Sequence, residues 1–418
     1  MSEAYIVATA RSPIGRARKG SLASLRPDDL AAQMVRAALA SVPSIDPGRI
    51  DDLMLGCGMP GGEQGMNMAR IVAVLLGLDE VPGTTVNRYC SSSLQTTRMA
   101  FHAIRAGEGD IFVSAGVESV SHAMRGSSDY IPGEKLTNPL FDDALARTEA
   151  RAVSGATDAA SDAAGLRPWR DPRADGLLPD AYIAMGQTAE NVAELRGITR
   201  EEQDAFAARS QQRAEAALAS GFWARDITPV TLADGTVVST DDGPRPGVTL
   251  EALAGLDPVF RPDGTVTAGN CCPLNDGAAA VVIVSDRVVD ELGLTPLARI
   301  VSTGVSGLSP EIMGLGPVES SRRALARAGL GIDDIDLVEI NEAFAAQVIP
   351  SARELGVDPE KLNVHGGAIA VGHPFGMTGA RITSTLINGL AATGGRYGLE
   401  TMCVGGGQGM ALVLERLQ

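Results

Sequence analysis

One order of element signals occurs twice in this chain, and a chain that repeats itself over such a distance is constrained to fold as two like halves about a common axis. Near the start, Ile50-Asp51-Asp52-Leu53-Met54-Leu55 reads as the beginning of a strand. It is followed by VNRYC (residues 86–90), a helical stretch from about Ser92 to Ala106, and a strand in DIFVSAGVES. Near the end, Ile332-Asp333-Asp334-Ile335-Asp336-Leu337-Val338 again leads into a strand, followed by GHPFGMTGAR, a helix, and a strand in LETMCVGGGQG. Apolar strand runs alternating with helical patterns predict parallel strands with crossover helices, covered on both faces. A duplication of this kind sets the two matching strand-to-helix turns near a pseudo-two-fold axis, so that Cys90 and His373 are expected to face one another.

At 418 residues the chain exceeds the usual size of one domain. Three units are expected: an N-terminal half from residues 1–121 with 254–286, a C-terminal half from 287–418, and between them an inserted domain, 122–253, that covers the site. Within the insert, Ala144 to Gly165 is small, polar and nearly free of bulky side chains, which reads as an exposed excursion. Thr199-Arg200-Glu201-Glu202 is a capping-box pattern, and the helix it opens runs through FAARSQQRAEAALA to stop at Gly221.

Charge and composition narrow the function classes. The net charge is −16 and no run of Lys and Arg forms a basic stripe, so nucleic acid is not an expected partner. An anionic ligand would be held by local arginines and backbone N–H groups. The longest apolar runs, such as Ala278 to Val284, fall far short of the roughly 18 residues of a membrane span, so no membrane insertion is expected. The start, MSEAYIV, carries no basic region followed by an apolar one, and the end, ERLQ, is no address signal. Five cysteines without framework spacing predict reduced thiols and a cytoplasmic setting, and none is spaced for zinc.

Cys90 stands where a strand yields to a helix. Free N–H groups and the positive end of the dipole there favour a thiolate, which a thiol of pKa about 8.5 otherwise supplies only sparingly at neutral pH. The competing reading is a buried structural cysteine. His373, in Gly372-His373-Pro374, is the candidate base, one of only four histidines. His365 is its rival; His102 and His122 read as helix-face or loop residues. Cys403 precedes Gly405-Gly406-Gly407-Gln408-Gly409, where glycines let backbone N–H groups approach an anionic oxygen; no Gly-Lys-Ser/Thr follows, so a phosphate loop is not indicated. Asn341-Glu342-Ala343-Phe344 follows the strand DLVEI, at a strand end of the kind where open α/β sheets bind ligands.

VNRYCSSSLQ, NEAFAAQ, GGAIAVGHPFGMTGAR and CVGGGQG closely resemble the signature blocks of the thiolase family. TARSPIGR, MGQTAENVA (185–193) and TAGNCCPLNDGAAA (267–280) extend the resemblance, and only about Gly126 to Asp180 does not align. The resemblance implies the thiolase fold: α/β, with duplicated halves whose mixed five-stranded sheets are layered α-β-α-β-α, plus an inserted loop domain. It implies Cys90 as the acylated nucleophile and His373 as the base that activates it. Cys403 would move a proton at the α-carbon of acetyl-CoA. Asn341 would position a water that forms one oxyanion hole with His373, the other being the N–H groups of Cys90 and Gly405. Coenzyme A would lie on the loop domain against Arg245. Met185 would line the acyl pocket, Phe344 with Ala343 before it would flank the same cavity, and Cys272 would take the place of a serine that contacts pantetheine. Arg209 and Arg213 stand either at the phosphates or on a solvated helix face.

Departures from the family pattern matter for specificity. Ala184 stands where short-chain members carry a histidine, leaving room near the acyl chain; Ser93 stands for a frequent glycine and His365 for an asparagine. Neither Cys271 nor Cys272 is expected to be the nucleophile. The implied activity is that of an acetyl-CoA C-acyltransferase, cleaving 3-ketoacyl-CoA with coenzyme A or running the reverse Claisen condensation, with ping-pong kinetics. Coenzyme A is then a co-substrate, with no tightly bound cofactor and no metal. A homodimer or homotetramer is implied, in the company of other β-oxidation enzymes. Two other readings stand beside it. A ketoacyl-synthase-like enzyme pairs one cysteine with two histidines, which Cys403 argues against. An acyl-CoA-binding protein or partner subunit without turnover is disfavoured by the presence of Cys90, Asn341, His373 and Cys403 together.

Overall fold

The computed structural model describes residues 2–123, 136–153 and 168–418. In the first half, strand β1 (Ala4–Arg11) is followed by helix α1 (Pro27–Ala40), strand β2 (Asp52–Gly56), helix α2 (Met68–Leu75), strand β3 (Gly83–Val86), helix α3 (Ser92–Ala106) and strand β4 (Ile111–Ser119). Strand β5 (Asn275–Ser285) completes it after the middle segment. Every residue of β5 is buried, the mark of a strand covered on both faces. The sheet order is β3-β2-β4-β5-β1; β2 runs parallel to β3 and β4, while β5 is antiparallel to β4 and β1.

The middle segment contributes α4 (Asp142–Val153), α5 (Met185–Arg196) and α6 (Arg200–Ala219). The second half then repeats the plan of the first with β6 (Ala298–Gly307), α7 (Gly316–Ala328), β7 (Leu337–Ile340), α8 (Ala345–Leu355), α9 (Thr378–Thr393), β8 (Tyr397–Val404) and β9 (Gln408–Arg416). Its order, β7-β8-β9-β6, with β7 parallel to β8 and the other pairs antiparallel, matches β2-β4-β5-β1 strand for strand. The repeat read in the sequence is therefore a repeat of topology. The expected pair of five-stranded sheets is present as β3-β2-β4-β5-β1 in one half and as β7-β8-β9-β6 in the other, where a single parallel bridge of Val338 with Leu362 takes the position of β3. A short antiparallel contact of Tyr5 and Ile6 with Arg299 and Ala298 joins them into one sheet.

The layers follow from which faces are apolar. α1 and α2 cover the outside of the first sheet, α7 and α8 the outside of the second, and α3 and α9 pack against each other between the sheets. Three apolar clusters fill the resulting gaps, the central one running from Ile6, Leu94 and Ile104 to Ile382, Leu386 and Met410.

The capping box at Thr199 is present, its side chain accepting from Glu202 N–H while the Glu202 carboxylate accepts from Thr199 N–H. The stretch read as an exposed excursion, Ala144–Gly165, is largely exposed or half-buried where it can be seen, but it is helical there. Residues 144–153 belong to α4, whose first turn carries Asp142 and Asp143 and whose Arg151 is buried against Glu194. Alanine-rich composition with acids at the N-terminus is also helix-forming composition, and tertiary contact decided between the two. Residues 154–165 lie outside the described residues.

Buried charge fastens the middle segment to both halves. Arg11, at the end of β1, donates from Nε to Asp226 at 2.8 Å and from Nη1 to Asp241 at 2.6 Å. Asp226 also accepts from Ser384, Thr385 and Asn388 of α9.

Candidate active site

After β3 the chain makes a tight turn, Tyr89–Ser91, and enters α3. Tyr89 sits at φ +45°, a conformation costing on the order of 1–3 kcal/mol for a non-glycine residue. Two side chains hold it there: Asn87 Oδ1 accepts from Tyr89 N–H at 2.8 Å, and Ser92 Oγ donates to the Tyr89 carbonyl at 2.6 Å. The result presents Cys90 against β8 and α9 of the other half. Ser93 fastens the same junction, its Oγ accepting from Ala380 N–H of α9 at 2.9 Å. Gly116, beneath it, has no room for a side chain: a Cβ there would stand 2.5 Å from the Ser93 Cβ and 2.1 Å from the Gly376 carbonyl.

Cys90 is buried at the foot of a cavity of about 320 Å³ lined by Gly58, Met59, Tyr89, Ala181, Tyr182, Ile183, Met185, Phe375, Gly405 and Gly406. The N–H groups of Gly405 and of Cys90 itself are directed at its sulfur. Burial nevertheless wins and pushes the thiol up to about 12, with the Glu118 carboxylate adding to the rise. The helix start therefore does not ionise Cys90 in the free protein, contrary to the sequence expectation; desolvation outweighs the N–H groups.

His373 lies on the segment between β7 and α9, buried, with its own N–H donated to Asn275 Oδ1 at 2.9 Å. Its Nδ1 is 2.7 Å from Thr378 Oγ1, and that hydroxyl spends its proton on the Pro374 carbonyl, also at 2.7 Å. Nδ1 therefore carries the ring proton and Nε2 is bare, receiving an N–H from Asn341 at 3.2 Å. Burial, aided by Arg381, lowers the ring to about 3, so it is a neutral imidazole whose Nε2 lone pair takes the Asn341 N–H. Phe375, in the wall of the Cys90 cavity, meets the ring edge-on at a centroid distance of 5.1 Å. Asn341 is buried, and its Oδ1 has no hydrogen-bond partner among the described residues.

Cys403, near the end of β8, is buried and its thiol is pushed well up by desolvation and by Cys90. Cys272 lies within electrostatic reach of Cys271, Cys90 and Cys403. Its N–H donates to the Ala343 carbonyl at 3.0 Å, and Cys271 pairs as a strand bridge with Phe344. Phe344 itself packs edge-on to Phe260 at 6.2 Å and does not line the cavity. Met185 does.

Other sequence candidates are not brought to the cavity. Arg245 is exposed, on a loop tied to α6 by its N–H to Gln211 at 3.0 Å. Ala184 is exposed, and the wall is made by its neighbours. His365, the rival base, stacks on Phe222 at 3.6 Å and is driven down to about 4 by burial. Arg209 lies over the Phe206 ring, and Arg213 is spent on the carbonyls of Pro359 and Leu362 and on Glu360. Thr378, Asn275 and Glu118 were not singled out beforehand. A hydroxyl five residues past a histidine, at the start of the helix that follows it, is a signal that could have found Thr378. A glutamate inside the apolar strand DIFVSAGVES is one for Glu118.

Duplicated mixed-sheet halves that bring two buried thiols and a neutral imidazole to their junction are the architecture of an acyltransferase that works on thioesters. The chain belongs to the thiolase family: residues 4–287 match the family model of the thiolase N-terminal domain and residues 294–416 that of the thiolase C-terminal domain. It is 44% identical over 429 aligned residues to the 3-ketoacyl-CoA thiolase of Bacillus subtilis (strain 168), covering 99% of this chain and 100% of that one. To the beta-ketoadipyl-CoA thiolase of Pseudomonas aeruginosa it is 45% identical over 427, covering 99% of each. The solved structure of the Bacillus anthracis acetyl-CoA acetyltransferase superposes with a TM-score of 0.84 at 38% identity, covering 100% of this chain and 99% of that one.

Proposed function

We propose that this thiolase cleaves 3-ketoacyl-CoA with coenzyme A, or runs the reverse condensation, through an acyl group carried on Cys90. The observation that supports it most is the N–H of Gly405, from the second half, directed at the Cys90 sulfur of the first. In cleavage the Cys90 proton passes to Nε2 of His373 as sulfur attacks the 3-keto carbon. The oxyanion formed there is met by N–H donors, each typically worth about 2.7–4 kcal/mol of barrier. The C2–C3 bond then breaks, and the electron pair left on C2 is protonated by Cys403 to release acetyl-CoA. Coenzyme A next gives its thiol proton to the Cys403 thiolate and attacks the acyl-Cys90 carbonyl, and His373 returns its proton to the departing Cys90 sulfur, restoring both cysteines and the neutral ring. Asn341, whose Nδ2 meets His373 Nε2 and whose Oδ1 has no partner among the described residues, holds a water for the second oxyanion. Starting from neutral thiols and a neutral ring, the first half-reaction leaves a His373 imidazolium and a Cys403 thiolate of opposite charge, and the second returns both to neutral.

The segment 122–253 is proposed to carry coenzyme A between the halves 1–121 with 254–286 and 287–418, Arg245 lying at its exposed rim with Cys272, Ala343 and Phe344 behind the thioester. The apolar walls from Met59, Ile183, Met185 and Phe375 support acyl chains longer than acetoacetyl. The relatives' names extend the candidates to 3-oxoadipyl-CoA. A degradative role in the cytoplasm is proposed with it. The outer edge of β3, paired on one side only, supports a homodimer or homotetramer. No helix among the described residues is long and apolar enough to cross a membrane.

Incubation with acetoacetyl-CoA and acid quenching should show an acyl adduct on the wild type by mass spectrometry. Cys90→Ala should lose both adduct and turnover; near-normal thiolysis by that variant ends the assignment. In a thiolysis series, medium-chain 3-ketoacyl-CoA or 3-oxoadipyl-CoA should be cleaved at least as fast as acetoacetyl-CoA, and strict preference for the latter refutes the roomier pocket.

A further inference from the structure

Glu118, the penultimate residue of β4, is fully buried in a place where the proposed chemistry has no use for a carboxylate. Its Oε2 accepts from Gly58 N–H at 2.8 Å and Gly376 N–H at 2.9 Å, and its Oε1 from Met59 N–H at 3.2 Å and Gln64 Nε2 at 3.0 Å. The Cys57 thiol points at it from 3.8 Å. Gly58 and Met59 belong to the first half and Gly376 to the second, and Met59 and Phe375 both line the Cys90 cavity. Gly58 is confined to glycine because a Cβ there would lie 2.8 Å from Glu118 Oε2 and 2.8 Å from the Phe375 Cβ. Four N–H donors converge on two oxygens. Only a carboxylate supplies acceptors to all four; an amide of the same shape would turn a donor toward two of them.

We infer that Glu118 is a positioning residue that clasps the two halves across the cavity, fixing the His373–Phe375 segment relative to the Cys90 turn. This rests on Cys90 being the nucleophile. The clasp acts through main chain: Gly376 follows the segment that carries His373 by three residues, and Met59 is held from the turn after β2. Its charge has a second consequence, since it is among the groups that hold the Cys90 proton in place.

Three variants test this: Glu118→Gln, Glu118→Asp, and Glu190→Gln as a control. Glu190 is likewise buried and accepts from Thr265 N–H at 3.0 Å and Val266 N–H at 2.9 Å, but does not line the Cys90 cavity. Glu118→Gln should lower kcat for thiolysis roughly 10²-fold, the cost of misplacing reacting groups by about an ångström, with a smaller change in KM. It should also move the pH profile of Cys90 alkylation by iodoacetamide to lower pH. Glu118→Asp keeps the charge but shortens the reach, so kcat should fall while the alkylation profile stays, and it carries the test if the glutamine variant does not fold. Glu190→Gln should leave the alkylation profile in place. Wild-type kcat in both folded Glu118 variants, or an unmoved profile in Glu118→Gln, overturns the inference. Turnover that survives complete alkylation of Cys90 would instead overturn the nucleophile assignment.

Discussion

Cys90 shows two influences opposed on one atom: N–H groups that favour a thiolate and burial that favours the thiol, with burial prevailing. His373 is governed by the same imbalance in the other direction, losing its proton to desolvation and to Arg381. Thr378 makes that useful, because its hydroxyl fixes the proton on Nδ1 and leaves Nε2 to receive the one from sulfur. Thr378→Val should keep the fold and the substrate KM while lowering kcat roughly 10²-fold, read by steady-state thiolysis, since the ring is then free to turn or to change tautomer. A kcat within a factor of two of wild type would remove Thr378 from the mechanism. The residue types of the site were legible: Cys90, Asn341 and Cys403 stand where strands give way to turns, whereas His373 follows a short helix, Ala368–Val371, and not the strand expected before it. Their protonation was not, because desolvation is a property of neighbours contributed by segments far along the chain.

At the level of single elements, β7 carries Glu339 into the interior, where burial raises it to about 8 despite Arg381. The folded pKa lies above the ordinary glutamate value of 4.5, so the folded state binds the proton more tightly. Its contribution to stability is present below about 4.5 and is lost as pH rises towards 8. Glu339→Gln should therefore gain in melting temperature relative to wild type as pH is raised through that window, by calorimetry; a difference independent of pH would show that Glu339 titrates normally. Elements were largely readable where the pattern was strong. The apolar run at 278–284 is the interior of β5, the helix expected over Ser92–Ala106 is α3, and Thr199 caps α6. α4 was missed because alanine-rich, acid-capped sequence fits both a solvated excursion and a helix, and Arg151 meets Glu194 only across the fold.

The whole molecule depends on buried charge as well as on its three apolar clusters. Asp226 receives Arg11 from the first half and Ser384, Thr385 and Asn388 from the second, so one carboxylate on the middle segment holds all three parts. Asp226→Ala leaves the buried Arg11 short of a partner and should cost about 3–5 kcal/mol in urea unfolding, more than a surface pair would. A loss under about 1 kcal/mol would mean that Asp241 alone suffices for Arg11. The sequence by itself determined the duplication, the order of the elements, the family, and which side chains can carry the chemistry, because hydrophobic period, turn residues and signature blocks are local. Only the tertiary structure decided that Cys90 and His373 rest neutral, that Arg245 and Ala184 are not among the residues lining the cavity, and that Glu118 accepts N–H groups from both halves. Burial, proton placement and a clasp between halves arise from contacts between residues hundreds of positions apart, and no local pattern encodes them.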